Sequence, residues 1–308
     1  MTQRILITGG TGSLGSALVH QYAASASLTI LSKDIHHQAA LRKLYPHLRY
    51  VLADICDAAA VTHACLGQDV VIHTAALKRV ELGEAHPAEY ARVNIQGTLN
   101  VAEAAQACGV PRCLMISTDK AVEAVNHYGK TKAVAEGLWL NHDTTGSDTR
   151  SNFSVLRYGN VLSSQGSVWH YWQALLQQGK RIPVRTPEPT RFLLTMDQAL
   201  ALIADALDQM ANRRGTIYLP AALPAFSVHD LARTFCPPPQ WQLLPLERGE
   251  KQHEVLLAAY ERARPVSDLL YAVDGEGELT MDRAAFCSRS APRLTGKDVM
   301  DLMQKGAQ

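Results

Sequence analysis

Short apolar runs separated by stretches of helical spacing dominate the first half of the chain. Arg4 to Thr8, Leu28 to Ser32, Tyr50 to Ala53, Val70 to Thr74, Cys113 to Ser117 and Phe153 to Arg157 each read as a strand. Their near-continuous apolar character suits strands covered on both faces of a parallel sheet. Helical patterns lie between them. The longest runs from about Pro87 to Cys108, is rich in Ala and is stopped by Gly109 and Pro111. Strand and helix alternating at this spacing predict an α/β fold, a Rossmann-type doubly wound parallel sheet, over residues 1–160.

Beyond Asn160 the pattern loosens. A helix is expected from Val168 to Gln178, ended by Gly179, and Pro183, Pro187 and Pro189 mark a loop. Met196 to Asn212 reads as a helix, Thr216 to Leu219 as a strand and Val228 to Phe235 as a helix. Pro237-Pro238-Pro239 breaks the pattern before a loop holding Glu247-Arg248-Gly249-Glu250-Lys251, and Gly296 to Gln304 fits a short helix. Residues 161–308 are therefore expected to form mainly a small C-terminal substrate-binding lobe, with part of the chain returning to the Rossmann sheet.

Composition narrows the classes. The 308 residues are 47% apolar and 19% charged, with 30 basic against 29 acidic side chains and a net charge of +1. Such a balance argues against a nucleic-acid partner held by a broad basic surface. No apolar run approaches the roughly 20 residues of a membrane helix, and no signal-peptide layout opens the chain, so a cytoplasmic location without a membrane partner is expected. The six cysteines show neither a CxxC pair nor metal-ligand spacing, which predicts free thiols and no metal site.

Candidate chemistry starts at the first strand. Thr8-Gly9-Gly10-Thr11-Gly12-Ser13-Leu14-Gly15 carries glycines at 9, 12 and 15 and opens a helix. The first glycine permits a tight turn, the second a close approach to a pyrophosphate, and the third close helix–strand packing. Gly9, Thr11, Gly12, Ser13, Leu14 and Gly15 are thus expected to bind a dinucleotide. At the end of the second strand Ser32-Lys33-Asp34 places a hydroxyl and a cation ahead of the acid, which favours the 2′-phosphate of NADP. Asp54 and Ile55, after the third strand, are placed for the adenine, and Ala75 and Ala76, after the fourth, for the passing cofactor backbone.

Tyr128-Gly-Lys-Thr-Lys132 is a YxxxK pair, and positions i and i+4 share one face of a helix. An ammonium beside a phenol favours the phenolate, so Tyr128 is expected to take a proton from a hydroxyl while Lys132 assists it and holds the nicotinamide ribose. Ser117-Thr118-Asp119-Lys120 falls at the carboxyl end of the fifth strand, where sites form in open α/β sheets. Asp119 and Lys120 there form a candidate acid–base pair.

Together these stretches resemble a known family. ITGGTGSLG (Ile7 to Gly15), AALKRV (Ala75 to Val80), NIQGTLNV (Asn94 to Val101), STDKAVEAVNHYGKTK (Ser117 to Lys132), RYGNVLSSQGSV (Arg157 to Val168), TRFLLT (Thr190 to Thr195) and ERGEKQHE (Glu247 to Glu254) follow its order. The chain resembles an extended short-chain dehydrogenase/reductase, specifically the soluble inverting UDP-N-acetylglucosamine 4,6-dehydratases of the pseudaminic acid type. The resemblance implies oxidation of the sugar at C4 by Tyr128 and NADP, removal of the C5 proton by Lys120, and loss of water at C6 with Asp119 as acid. Hydride return to C6 and reprotonation from the other face then invert C5. It also implies Thr118 at the C4 oxygen, Asn94 near the cofactor, Lys78 near the active site, and Asn160, Arg191 and Lys251 near a UDP-sugar diphosphate. A homo-oligomer is expected from the same resemblance. The chain departs from the family at Gln165, at Lys130 and within Glu247 to Lys251. A nucleotide-sugar epimerase of the same superfamily, and a non-catalytic NADP-sensing Rossmann protein, remain the alternative readings.

Overall fold

A computed structural model describes residues 2–144, 151–162, 168–274 and 283–305. The chain begins with β1 (Arg4–Thr8), α1 (Ser13–Tyr22), β2 (Ser27–Ser32), α2 (Ile35–Leu44), β3 (Arg49–Leu52), α3 (Ala58–Cys65) and β4 (Val70–His73). Then come α4 (Val80–Ala85), α5 (Pro87–Ala91), α6 (Thr98–Ala107), β5 (Arg112–Ile116), α7 (His127–Thr144) and β6 (Asn152–Leu156). All six expected strands are present within a residue or so of their predicted bounds.

Neighbouring strands 3-2-1-4-5-6 pair in parallel, the order of a doubly wound dinucleotide-binding sheet. Alternation along each strand fills both faces. Ile5, Ile7, Ile30 and Leu114 join one core with Leu18 of α1, whereas Leu6, Leu31, Cys113 and Met115 join a second with Trp139 of α7.

The predicted helix from Pro87 to Cys108 is not uniform. Between α5 and α6 the backbone widens into a π-helix over Arg92–Gly97. The buried Asn94 amide accepts from the Leu77 N–H at 2.8 Å and donates to the Leu77 carbonyl at 2.9 Å and to Thr131 at 3.1 Å. These side-chain bonds compensate the looser ladder and fix the loop after β4.

The second half supplies β7 (Asn160–Val161), α8 (Val168–Gln177), β8 (Ile182–Thr186), β9 (Thr190–Leu194), α9 (Met196–Gln209), β10 (Ile217–Pro220), β11 (Ala225–Ser227) and α10 (Val228–Phe235). It ends with β12 (Trp241–Pro245), β13 (Arg262–Pro265), β14 (Leu270–Asp274), β15 (Arg293–Leu294) and α11 (Gly296–Lys305). β10 extends the large sheet in parallel beside β6, and β14 and β13 add antiparallel edge strands. β15-β11-β9-β7 form a small sheet, and β8 pairs with β12. Leu162, Trp172, Ile182, Val184, Phe226 and Trp241 belong to the core of this part.

The proline-marked loop at 183–189 needs correction. Ile182 and Val184 are buried while Pro183 and Arg185 are half-exposed, so the segment is a strand, and Pro187 and Pro189 flank the turn into β9. Pro183 is tolerated because β8 has a single partner strand and needs no donor on its other side.

Candidate active site

The candidate residues gather at the carboxyl edge of the large sheet. β1 ends in the glycine turn, where Gly9 has φ +69° and Gly12 caps α1 with no side-chain hydrogen bond. A Cβ on Gly15 would lie 2.2 Å from the Gly9 carbonyl oxygen, and one on Gly9 would lie 2.8 Å from the Ala75 backbone. Glycine is thus what lets the turn close on α1 and lie against the loop after β4. At Gly12 only the Gly9 carbonyl lies within 4 Å of a Cβ position, which leaves space in front of the helix. A pyrophosphate fits that cradle, with the helix N-terminus aimed at it.

At the end of β2, Ser32 Oγ lies 2.6 Å from Thr11 Oγ1, joining the second strand to the glycine turn. Asp34 caps α2 by accepting from the N–H groups of His36 and His37. Lys33 is exposed, with its ammonium 3.4 Å from Asp54, and Arg92 lies 3.3 Å from the same carboxylate. Burial opposes ionisation of Asp54, but its bonds from Cys56 and the two cations bring its pKa down to about 2. Two cations therefore stand on one carboxylate beyond the ends of β2 and β3. Ile55 turns its side chain into the core against Gly97, leaving only its backbone to face a ligand. Asn94, with its amide committed to Leu77 and Thr131, shapes the Ala75-Ala76 loop rather than reaching the crevice by itself.

The catalytic candidates meet where α7 crosses the end of β5. Thr118 caps a single 3₁₀ turn over Asp119–Ala121, and Gly129 lets α7 pack on it. A Cβ on Gly129 would lie 2.1 Å from the Lys120 carbonyl oxygen, so only glycine brings Tyr128 this close to Asp119-Lys120. Asn126 Oδ1 accepts from the Gly129 N–H at 2.7 Å, and its amide donates to the Gly249 carbonyl at 2.8 Å. The start of α7 is thereby tied to the loop at 247–251.

Asp119 is fully buried. Its Oδ1 accepts from Thr118 and Lys120, each at 3.0 Å, and its Oδ2 has no hydrogen-bond partner. Burial pushes its pKa up, against the pull of Lys120. Burial also disfavours charge on Lys120, but Asp119 and Glu254 outweigh it and hold that pKa above the ordinary lysine value. Moving one proton along this 3.0 Å hydrogen bond would turn the ammonium–carboxylate arrangement into amine and carboxylic acid.

Tyr128 corrects the sequence reading. Burial pushes its phenol up to about 12, and the charge that opposes this is that of Lys120, helped by the Thr118 hydroxyl. Lys132 instead donates to the Ile116 carbonyl at 2.9 Å, and burial, opposed by Glu136, brings its own pKa down to about 8. Glu136 belongs to a buried network in which it accepts from Ser117 and pairs with Arg157, which also reaches Glu261 at 2.8 Å. That network pins α7 to β6.

Of the expected substrate contacts, Asn160 Oδ1 accepts from Lys120 Nζ at 3.1 Å. Lys251 donates to the Val122 carbonyl, and Arg191 donates to the carbonyls of Thr190 and Gln252. Lys78 is exposed on the loop after β4. Gln165 falls outside the described residues. The sequence reading missed Glu254, a buried carboxylate to which Lys120, Arg191 and Lys251 all turn. Its signal was its place at the end of the ERGEKQHE stretch, three residues after Lys251. Gly129, inside the YxxxK motif, was missed for its packing role.

Comparison with known proteins identifies the family. Residues 5–271 match the model of a family described as polysaccharide biosynthesis protein. The chain belongs to this family, within the short-chain dehydrogenase/reductases. It is 30% identical to the inverting UDP-N-acetylglucosamine 4,6-dehydratase of Campylobacter jejuni, over 91% of this chain and 87% of the relative. It is also 30% identical to the UDP-glucose 4-epimerase of Rickettsia typhi, over 97% of this chain and 94% of the relative. Among solved structures, Pen from Bacillus thuringiensis superposes with a TM-score of 0.87 at 25% identity, covering 98% of each chain. By class the protein is a dehydratase, a hydro-lyase. Among the described residues no helix is long and apolar enough to cross a membrane, and no group of side chains is arranged to hold a metal ion.

Proposed function

We propose that the chain dehydrates a UDP-linked N-acetylhexosamine, UDP-N-acetylglucosamine in the first instance, to a 4-keto-6-deoxy sugar with inversion at C5. The observation that carries this reading is the buried Asp119–Lys120 pair set beside Tyr128. Transient oxidation at C4, as in epimerisation, requires the phenol alone. An acid and a base sharing one proton serve the further work of moving protons at C5 and O6.

A nicotinamide dinucleotide in the glycine cradle supplies the hydride acceptor and donor. Gly9, Thr11, Gly12, Ser13, Leu14 and Gly15 would hold its pyrophosphate, Ser32, Lys33 and Asp34 its ribose, and Asp54 and the Ile55 backbone its adenine. Lys132 would hold the nicotinamide ribose. The remaining work belongs to the chain's own side chains. Tyr128 takes the proton from the C4 hydroxyl, with Thr118 hydrogen-bonded to the same oxygen. Lys120, as the amine, removes the C5 proton acidified by the C4 ketone. Asp119, as the carboxylic acid, protonates the departing C6 hydroxyl. Asn160 steadies Lys120, and Arg191 and Lys251 bind the diphosphate as cations. Lys78 stands at the rim of this site.

The test is the product formed from UDP-N-acetylglucosamine, followed by NMR. A 4-keto-6-deoxy sugar carrying solvent deuterium at C5 is expected. A C4 epimer with no water lost would favour the epimerase reading, and absence of turnover with several UDP- and dTDP-sugars the sensor. Tyr128→Phe is expected to lower turnover about 10²–10⁴-fold while UDP binding changes little. Wild-type turnover in that variant would remove Tyr128 from the chemistry.

NADP is proposed over NAD because Lys33 and Arg92 stand together at the ribose end. A charge-assisted bond to the 2′-phosphate contributes about 1.5–3 kcal/mol, so Lys33→Ala should weaken NADP binding about 10–100-fold and leave NAD binding nearly unchanged. Equal losses for both dinucleotides in a titration would dismiss the assignment.

A further inference from the structure

Glu254 is 2% exposed and carries no part of the reaction described above. Its Oε1 lies 3.5 Å from Lys120 Nζ and 3.9 Å from Arg191 Nε, and its Oε2 lies 3.5 Å from Lys251 Nζ. Three cations therefore converge on one buried carboxylate, while Oε2 has no hydrogen-bond partner of its own. The backbone is fixed independently, since the Glu254 N–H donates to Ser288 Oγ at 2.8 Å and the Ser288 N–H donates back to the Glu254 carbonyl at 2.8 Å. The side chain is thus held in place without a close hydrogen bond to any of the three cations.

Burial of a carboxylate is costly unless cations compensate it, and here the compensating cations come from two different tasks. Lys120 is the proposed base; Arg191 and Lys251 are the proposed diphosphate ligands. We infer that Glu254 is a positioning residue for the reaction, a shared counter-charge that holds the base and the diphosphate-binding cations in one frame and sets the protonation of Lys120. The inference rests on the dehydratase reading. Three cations against two carboxylates leave the cluster short of negative charge, which suits the entry of a diphosphate. Once that anion binds, it shares Arg191 and Lys251 with Glu254.

The electrostatics support this role. Burial would raise the Glu254 pKa, but Lys120, Arg191 and Lys251 bring it below the usual carboxylate range. Lys120 is faced by Asp119 and Glu254, which stabilise its charge, by Arg191, which opposes it, by Tyr128 and by the neutral Asn160. Removing the Glu254 charge leaves Arg191 and Lys251 uncompensated beside Lys120. Both proton losses of the Asp119–Lys120 pair then occur at lower pH.

The experiment compares wild type, Glu254→Gln and Glu254→Asp. Lys120 is titrated by NMR of isotope-labelled lysine, its signal assigned with Lys120→Arg, and UDP binding is measured by calorimetry. Glu254→Gln should lower the Lys120 pKa by about one unit or more, the size of shift that one close opposite charge produces. The pH profile of C5 deuterium exchange should move to lower pH by a similar amount, and exchange at the wild-type optimum should fall. UDP should bind as tightly or up to about tenfold tighter, because two cations are released from their internal partner. Glu254→Asp keeps the charge and should restore the profile's position with a smaller loss of rate. An unmoved Lys120 titration and profile in folded Glu254→Gln, or parallel loss of UDP binding and rate, overturns the assignment. If Glu254→Gln does not fold, a Glu254→Asp profile displaced from that of wild type overturns it equally. Failure of the wild-type protein to dehydrate UDP-N-acetylglucosamine sinks the proposed function instead, and leaves the lysine titration to judge Glu254 alone.

Discussion

Lys120→Ala is expected to end water loss and to lower exchange of the C5 proton with solvent by at least about 10³-fold, within the range for removal of a general base. The C5 proton is acidified only by the neighbouring ketone and still needs a base held within hydrogen-bond reach. Lys120 touches Asp119, Asn160 and Glu254 together. Its loss also leaves Asp119 without its cation. The carboxyl group, already pushed up by burial, then stays protonated to higher pH and keeps its acid function without a base to complement it. Tyr128 shifts the same way, because the charge opposing its burial has gone. UDP binding should persist through Arg191 and Lys251. The measurement is deuterium incorporation at C5 by NMR, and incorporation at the wild-type rate would refute the base assignment.

Gly129→Ala should be nearly as damaging although it removes no functional group. The new methyl would sit 2.1 Å from the Lys120 carbonyl oxygen, so α7 or the 3₁₀ turn must move by about 1 Å. Displacement of that size between reacting groups costs about 10²-fold in rate, and overpacking costs about 1–3 kcal/mol in stability. Gly137 on the same helix is the control, since a Cβ there meets nothing within 4 Å. Gly137→Ala should leave activity unchanged and raise stability by about 0.5–1 kcal/mol through better helix propensity. Thermal melts and steady-state rates of the two variants check both statements. Equal behaviour of the two alanines would show that α7 does not depend on close contact with the turn.

The difference between these glycines marks where sequence reading stops. Both lie in the same helix, and although Gly129 falls inside YxxxK, that motif does not ask for glycine at its second position. Only the approach of Lys120 from the end of β5 gives one of them a role. Lys132 makes a similar point. Its i, i+4 spacing from Tyr128 placed both on one helix face, but the cation that opposes burial of the phenol is Lys120, brought there by a turn between two elements. Pro183 misled for a local reason, since a proline on a strand with one neighbour looks in sequence like a loop.

By itself the sequence determined the parallel sheet and its order of elements, because buried apolar runs and glycine-marked turns are local signals written in consecutive residues. It also named the side chains proposed to carry the chemistry, through the glycine turn, the STDK stretch and YxxxK. Tertiary structure alone decided how their charges are balanced. Glu254 lies 134 residues from Lys120 along the chain, yet their side chains are 3.5 Å apart. Proton affinity depends on such distances and on burial, and folding sets both.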